Sequence, residues 1–196
     1  MWGILVGDGI WLRLLERHHA EPLFALTDRN REHLRPWLPW VDDVREVGDS
    51  LAFIEEGLER FARGAGYELG IWLEENLIGV IGVHSIDRAN ASTSIGYWLD
   101  AGHQGRGIMT RAVATVLDDL FFVRGLHRVE IRVAPENHRS RAIPERLGFR
   151  MEGILREAGR SGGRWGDLMV YAILDREWEA RRHEVPFVGA PLVGAP

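Results

Sequence analysis

The 196-residue sequence contains no cysteine and no lysine, and both absences restrict its chemistry. Without cysteine there can be no disulfide bridge, no thiolate zinc or iron–sulfur site, and no thiol nucleophile. Because arginine supplies all 24 residues of the Lys+Arg total, neither a Schiff-base amine nor a phosphate-loop lysine is present. Catalysis through a protein-bound thioester or an imine is therefore excluded.

An excess of positive charge and a long apolar run are missing as well. The formal charge is −5 and the pI is near 5.9, with arginines dispersed among carboxylates, so the sequence predicts no nucleic-acid partner. The apolar start over residues 1–9 has no basic flank and is far shorter than the roughly 20 residues of a membrane span. We expect a cytoplasmic protein without a membrane partner.

The residues that are present suit one globular domain. The chain is 45% apolar and 27% charged, which is the balance of a protein that buries a core. We expect a single domain over residues 1–184 and a flexible Pro/Gly-rich tail over residues 185–196. The tail repeats a Val-Gly-Ala-Pro tetrad at Val188 and Val193 and has no periodic apolar face.

Hydrophobic periodicity predicts a mixed α and β chain. Asp49 is predicted to cap a helix that stops near Gly64. The clearest helical period runs from Met109 to Phe121, and shorter helices are predicted over residues 17–27 and 139–147. Alternating apolar residues predict six strands, at residues 10–15, 67–73, 77–85, 92–99, 127–133 and 168–174.

A glycine-containing loop precedes the clearest helix, at His103-Gln-Gly-Arg-Gly-Ile-Met-Thr110. Glycines allow backbone N–H groups to turn outward, and a helix N-terminus attracts phosphate through its free donors and its dipole. The loop therefore predicts an anion site, although glycines here also suit a simple helix start. The dinucleotide pattern Gly-x-Gly-x-x-Gly fails, because Thr110 stands where its last glycine is required.

This loop resembles the pyrophosphate loop of the GNAT superfamily of acyl-CoA N-acyltransferases, Gln/Arg-x-x-Gly-x-Gly/Ala. Gln104 and Gly107 match the pattern, whereas Met109 replaces its last small residue. Three further landmarks stand in the family's order, at Ile95-Gly-Tyr-Trp-Leu99, Asn137-His-Arg-Ser140 and Leu147-Gly-Phe149. With residues 34–41, the pattern is similar to the branch of ribosomal-protein N-terminal acetyltransferases and covers roughly residues 8 to 180.

The resemblance implies an α/β (α+β) fold with a mixed, mostly antiparallel central sheet and helices on both faces. The sheet would be splayed between its fourth and fifth strands, with the pantetheine arm of acetyl-CoA lying in the gap. The resemblance also implies a homodimer and no metal. The implied cofactor-binding residues are Leu99, Gln104, Gly105, Arg106, Gly107, Ile108, Met109, Thr110, Asn137 and Ser140.

Two of these residues are implied to act in catalysis. The Leu99 backbone N–H would hold the thioester carbonyl, and one such donor is worth on the order of 3 kcal/mol in the transition state. Ser140 would protonate the leaving CoA thiolate, although a serine in a first helical turn also serves as a local hydrogen-bond donor. Asn137 would bond the pantetheine or simply cap its helix. Pro144 cannot donate to the Ser140 carbonyl, so we expect that carbonyl to be free near the thioester.

The sequence offers no strong general base. Some relatives carry a glutamate about ten residues after the Gly-Phe landmark, but Gly159 occupies that position here and Glu157 is the nearest carboxylate. Glu157 is therefore the candidate base, or a solvated surface residue. Trp37, Trp40, Asp42 and Asp43 are candidates for an acceptor wall or for packing. His18, His19 and His138 show no metal-ligand spacing.

Without a thiol carrier, the amine is expected to attack acetyl-CoA directly in a ternary complex. An α-amine costs about 1.4 kcal/mol to deprotonate at pH 7, whereas a lysine amine costs about 4.6 kcal/mol. The resemblance over nearly the whole domain, together with this mild demand for a base, makes acetylation of a protein N-terminus the leading hypothesis. Acetylation of a small amine such as a polyamine or aminoglycoside, or a non-catalytic CoA-binding sensor, are the alternatives.

Overall fold

A computed structural model describes residues 3–161 and 163–185, and these form one eight-stranded sheet with helices on both faces. The strand order is β1-β2-β3-β4-β5-β6-β8-β7, and every neighbouring pair is antiparallel except β5 and β6. The strands are β1 (Gly3–Gly7), β2 (Ile10–Leu14), β3 (Tyr67–Leu73), β4 (Asn76–Asp87), β5 (Ser92–Leu99), β6 (Arg128–Val133), β7 (Arg150–Ser161) and β8 (Arg164–Leu174). The helices are α1 (Ala20–Arg29), α2 (Arg31–Leu34), α3 (Val47–Ala62), α4 (Ile108–Asp118), α5 (His138–Leu147) and α6 (Asp175–Arg181).

The mixed, mostly antiparallel sheet predicted from the sequence is confirmed, and so is its splay. β5 and β6 run parallel but pair only from Ser92↔Arg128 to Ser94↔Glu130. Beyond Ser94 the remaining half of β5 has no partner on β6. Because β1 was not predicted, the splayed strands are the fifth and sixth of the sheet rather than the fourth and fifth.

The N-terminal strand β1 shows what the periodicity missed. Residues 3–7 pair with β2 in an antiparallel hairpin that starts from Gly3↔Arg13. Asp8 and Gly9, both with positive φ, form the turn between them. An Asp-Gly pair between two apolar runs is a hairpin signal, so the sequence did carry the information for this strand.

The cap predicted for the third helix is wrong. α3 begins at Val47 with Glu46 as its N-cap, and Asp49 lies one turn inside the helix. From there the Asp49 carboxylate accepts hydrogen bonds from the backbone N–H groups of Arg45 and Glu46, at 2.7 and 3.0 Å. The carboxylate therefore reaches back over the helix start, as the second member of a capping box does. The predicted stop is right, because α3 ends at Ala62 just before Gly64, which has φ +62°.

The C-terminal hairpin is longer than predicted, because β7 was missed and β8 starts at Arg164 rather than at residue 168. β7 is the last strand at the edge of the sheet, and most of its residues are exposed. An edge strand with little buried surface has no apolar alternation to detect. From residue 186 on, the expected tail lies outside the described residues.

The two faces of the sheet are covered by different helices. One face packs its alternate residues, among them Ile81, Ile95 and Val129, against α4 and α5 in the larger core cluster. The opposite face packs Trp72 and Val80 against α1 and α3. Within residues 3–161 and 163–185, no helix is both long enough and apolar enough to cross a membrane.

Candidate active site

The glycine loop before α4 presents a row of free backbone donors. Gly105 and Gly107 have φ of +75° and +72°, and the space beside Gly105 is open for at least 4 Å. The first helical bond of α4 runs from the Arg111 N–H to the Gly107 carbonyl. The N–H groups of residues 105–110 therefore have no acceptor among the residues that the structure describes. Such a row of amides at a helix start binds phosphate oxygens.

Side chains around the loop hold it in place. The Gln104 amide bridges His33 of α2, 2.7 Å away, and Arg139 of α5. The Arg146 guanidinium donates to the Thr110 hydroxyl at 2.8 Å. Partial burial, followed by the Arg139 guanidinium, lowers the pKa of His33. The loop is thus joined to α2 and α5 and lies near two guanidinium groups, which favours a bound anion.

Three predicted cofactor-binding residues at the start of α4 turn their side chains inward. Ile108, Met109 and Thr110 are buried, and the first two belong to the main core cluster. Only their backbone N–H groups face the loop. Met109, which departs from the family pattern, therefore does not place its side chain in the path of a ligand. Arg106 remains exposed and donates to the Gly102 carbonyl at 3.2 Å.

The second half of β5 turns two further N–H groups toward the gap. The Asp100 N–H donates to the Ile78 carbonyl, which makes Gly79↔Leu99 a pair without hydrogen bonds of its own. The N–H of Leu99 consequently points away from β4 and into the gap beside β6. The alternation repeats every two residues, so the N–H of Tyr97 points the same way.

The start of α5 lies against the same part of β5. The Asn137 side chain caps the helix by accepting from the Ser140 N–H at 3.1 Å. The Tyr97 hydroxyl donates to the Ser140 carbonyl at 3.2 Å. The expectation of a free Ser140 carbonyl is therefore wrong. Pro144 does deny it a helical donor, but the tyrosine supplies one instead.

The side chain of Tyr97 is a site residue to which the sequence analysis assigned no role beyond its place in a family landmark. Burial raises the pKa of Tyr97, so its hydroxyl stays protonated and can act as a donor. The Gly-Tyr-Trp landmark contained the residue, but its bond to Ser140 joins positions 43 apart in sequence. No local pattern reveals such a pairing.

Glu157, the candidate base, lies in an irregular part of the β7–β8 hairpin. It has φ +50°, is exposed, and donates its backbone N–H to the Asp167 carboxylate at 2.9 Å. Among the described residues, no hydrogen bond joins it to Ser140 or Leu99. The structure therefore links Ser140 to β5 through Tyr97, but the described residues show no such link for Glu157.

Two residues of the proposed acceptor wall, Trp40 and Asp42, differ in how available they are to a ligand. The Trp40 ring lies 6.1 Å from the Trp98 ring of β5, and 37% of the residue is exposed. Asp42 is bound by the Arg35 guanidinium through both carboxylate oxygens at 3.0 and 3.1 Å. That hydrogen bonding lowers the pKa of Asp42. An aromatic surface is thus present beside β5, but the Asp42 charge is already paired.

The histidines form no metal centre in the part of the chain that the structure describes. No group of three or more His, Asp or Glu side chains there could hold a metal ion. The His18 and His19 rings contact each other 3.9 Å apart at the start of α1, and His138 is exposed at the start of α5.

Known proteins share this arrangement. Residues 10–150 match the family model of the acetyltransferase (GNAT) domain. The chain is 34% identical over 183 residues to YdaF of Bacillus subtilis (strain 168), covering 93% of this chain and 100% of that protein, whose name provisionally describes a ribosomal N-acetyltransferase.

Two solved structures carry ligands relevant to the site. The microcin C7 self-immunity acetyltransferase MccE, in complex with acetyl-CoA and AMP, has a TM-score of 0.83 and 30% identity, over 86% of this chain and 94% of its own. RimL, the ribosomal L7/L12 α-N-protein acetyltransferase in complex with coenzyme A, has a TM-score of 0.85 and 26% identity, over 88% and 97%. The family model covers more than half of the chain, and the amide-lined loop and splayed sheet agree with it. This protein belongs to the GNAT family and is an N-acetyltransferase.

Proposed function

We propose that this enzyme transfers the acetyl group of acetyl-CoA to the N-terminal α-amine of a protein, with ribosomal proteins as the first candidates. The observation that carries the proposal is the continuity between the amide-lined loop and the gap beside β5. A diphosphate at the loop and an extended arm along β5 would deliver a thioester to the N–H groups of Tyr97 and Leu99. The RimL and MccE structures, which hold coenzyme A and acetyl-CoA, support this cofactor.

The cofactor would be bound mainly by backbone groups. The N–H groups of residues 105–110 would bind the diphosphate, with Gln104 holding the loop in place. The pantetheine arm would continue the sheet beside β5, where no strand pairs beyond Ser94. The Asn137 side-chain oxygen is used in the helix cap, whereas its side-chain nitrogen has no partner among the described residues and would donate to that arm.

The chemistry is a direct acyl transfer. The amine nitrogen attacks the thioester carbon and the new C–N bond forms. The nitrogen then loses a proton to water, and the C–S bond breaks with release of the CoA thiolate. The Leu99 N–H, and the Tyr97 N–H beside it, would stabilise the negative charge on the carbonyl oxygen. Ser140 would donate its hydroxyl proton to the thiolate and regain one from solvent.

An α-amine acceptor fits the weak base. It needs about 3 kcal/mol less than a lysine amine to become neutral at pH 7. RimL, whose described activity is on the α-amine of ribosomal L7/L12, matches the fold over nearly the whole of both chains. The partly exposed Trp40 beside Trp98 offers an apolar surface for the residue next to that amine.

A small amine is the second candidate acceptor, and MccE favours it. MccE has 30% identity to this chain, and its structure holds AMP beside acetyl-CoA. A nucleotide-sized acceptor therefore fits a relative with the same fold. The two candidates differ in what must be recognised, namely a peptide backbone or a compact polar molecule.

Mass spectrometry of intact proteins separates the candidates. A panel of ribosomal proteins with unmodified N-termini is incubated with acetyl-CoA and enzyme, alongside a panel of polyamines, aminoglycosides and aminoacyl nucleotides. We expect one acetyl group on the N-terminus of at least one protein. Transfer only to small amines would contradict the proposed acceptor, and transfer to none would favour a CoA-binding sensor.

We further propose a homodimer in the cytoplasm. Four large apolar residues of the β7–β8 hairpin are exposed to between 40% and 64%, which suits a surface that pairs with a second copy. They are Met151, Ile154, Leu155 and Trp165. Light scattering after size exclusion gives the mass, and a monomer at micromolar concentration would contradict the dimer.

A further inference from the structure

A cavity of about 300 Å³ opens beside the splay of the sheet, on the face opposite the cofactor loop. Gly96 and Ser94 of β5 line it, together with Arg132 of β6 and His84 of β4. Arg132 lies beyond the last β5–β6 pair, so the cavity reaches the point where the two strands separate. It therefore connects with the gap in which the thioester would lie.

The alternation of β5 separates the two reactants. Ile95, Tyr97 and Leu99 direct their side chains to the face of α4 and α5, where the loop and Ser140 also lie. Gly96 belongs to the opposite face, with Trp98, which packs against the second core cluster. A cofactor that enters from the first face leaves the second face open for the amine.

His84 stands at the entrance to the gap on that second face. Its ring lies over Gly96, with Cε1 only 2.8 Å from the position that a Cβ at residue 96 would occupy. Gly96 precedes Tyr97, whose N–H points into the gap. The residue keeps an exposed side, and neither ring nitrogen bonds to any residue that the structure describes. An amine in the cavity would thus meet an imidazole with both nitrogens available.

Burial and the nearby Arg60 guanidinium favour the neutral form of the His84 imidazole. Glu68 of β3 lies over Gly82, the residue opposite Gly96, and accepts from Arg60 of α3 at 2.8 Å. Partial burial, and then the Arg60 guanidinium, lower the pKa of His84. Arg132 faces the same cavity from β6. A neutral imidazole at pH 7 is able to accept a proton.

We propose that His84 is the general base of the transfer and that the acceptor amine occupies the cavity between His84 and Arg132. This inference rests on the proposed function. The acceptor ammonium first loses one proton to the unprotonated nitrogen of His84, and the neutral amine then forms its bond to the thioester carbon. The second amine proton passes to water as the C–S bond breaks, and the thiolate takes its proton from Ser140, which regains one from solvent. His84 then returns its proton to solvent through its exposed side. The position explains how the chain works without a glutamate at Gly159.

The test compares His84→Ala and His84→Gln with wild type, and uses His183→Ala as a matched control at an exposed histidine. Two acceptors are used for each protein. One is the best α-amine acceptor, which is largely protonated at pH 7, and the other is trifluoroethylamine, which is already neutral. Acetyl-CoA affinity is measured by calorimetry in parallel.

We expect kcat with the protonated acceptor to fall by about 10² or more in both His84 variants, since general base catalysis is worth 10² to 10⁴. With trifluoroethylamine the loss should be less than about tenfold, and acetyl-CoA affinity should stay unchanged. The His183→Ala protein should match wild type.

A second variant tests the position rather than the chemistry. Gly96→Ala would push the ring away from the gap, whereas Gly153→Ala adds a methyl group where nothing lies within 4 Å. Loss of rate in the first alone supports the placement of His84. Equal losses with both acceptors, or an unchanged rate in His84→Ala, would overturn the inference while leaving the proposed function intact. A wild-type protein that binds acetyl-CoA but acetylates no amine would overturn both.

Discussion

The Tyr97 hydroxyl donates to the Ser140 carbonyl across 3.2 Å, at the one place in α5 where Pro144 has removed the helical donor. The bond ties the middle of β5 to the first turn of α5. The two groups proposed to act on the thioester, the β5 N–H groups and the Ser140 hydroxyl, are thereby held at a fixed separation. The carbonyl that Pro144 leaves without a helical donor thus accepts the hydrogen bond that positions the site.

Removal of this hydroxyl should loosen the site. In Tyr97→Phe the partly buried Ser140 carbonyl loses its donor, and we expect the free energy of unfolding to fall by about 1 kcal/mol. The kcat for acetyl transfer should fall more than the affinity for acetyl-CoA, because Ser140 shifts while the loop does not. Chemical denaturation and steady-state kinetics measure the two effects.

The proline supplies the control for that experiment. In Pro144→Ala a backbone N–H becomes available for the Ser140 carbonyl, so Tyr97→Phe should cost less stability in that background. A double-mutant cycle gives the coupling energy. A cost that is the same in both backgrounds would show that the hydroxyl does not act through this carbonyl.

We expect cofactor binding to require a glycine at position 107, and not only because of the positive φ there. Gly107→Ala places a side chain at φ +72°, which costs about 1 to 2 kcal/mol of stability, and it crowds the amide row. Gly125→Ala imposes the same strain at φ +67°, with nothing within 4 Å and away from the loop. Both variants should lose similar stability, but only Gly107→Ala should weaken acetyl-CoA binding by about tenfold or more in calorimetry. Equal affinities in the two variants would remove the loop from the site.

Ser140 should act through its hydroxyl. Ser140→Ala should lower kcat by about 10² while acetyl-CoA still binds, and Ser140→Thr, which retains a hydroxyl, should recover much of the rate. Single-turnover measurements of thiol release follow the step directly. If alanine and threonine behave alike, the serine is only part of the helix start.

The contribution of Glu68 to the stability of the protein should fall as the pH rises between about 4.5 and 7. Burial raises the pKa of Glu68 to about 7, against the opposing Arg60 guanidinium. The folded state therefore binds a proton that the unfolded state has already released above its own pKa near 4.5. The proton stabilises the folded state at low pH, by at most about 3 kcal/mol, and this contribution is lost as the pH approaches 7.

The matched variant is Glu68→Gln, which cannot titrate. Its unfolding free energy should be flatter than that of wild type between pH 5 and 7, in urea denaturation at several pH values. Parallel curves for the two proteins would mean that Glu68 is ionised throughout this range.

Much of the fold could be predicted because its elements have strong local patterns. The period from Met109 onward defined α4, and the alternation over residues 67–99 defined the central strands. β7 escaped because its apolar residues Met151, Ile154 and Leu155 do not alternate along the strand. The Asp49 cap was wrong because a carboxylate can act on a helix start from one turn inside. The splay came from family resemblance, since no local pattern reports where two strands separate.

The site was predictable in its backbone and not in its side chains. Two glycines and a helix start predicted the amide row at Gly105 and Gly107 from sequence alone. The pairing of Tyr97 with Ser140, and the approach of His84 to Gly96, join segments that only the folded sheet brings together. Such contacts depend on how the strands are paired and on the space left beside a glycine such as Gly96. The sequence of one strand shows neither of these.

A crystal structure of the enzyme with acetyl-CoA tests the central claim most directly. We expect diphosphate oxygens within hydrogen-bonding distance of the N–H groups of residues 105–110, with the pantetheine beside β5 and the thioester carbonyl at the N–H of Leu99 or Tyr97. Electron density for the cofactor away from this loop, or a gap closed by pairing of β5 with β6 beyond Ser94, would contradict the account.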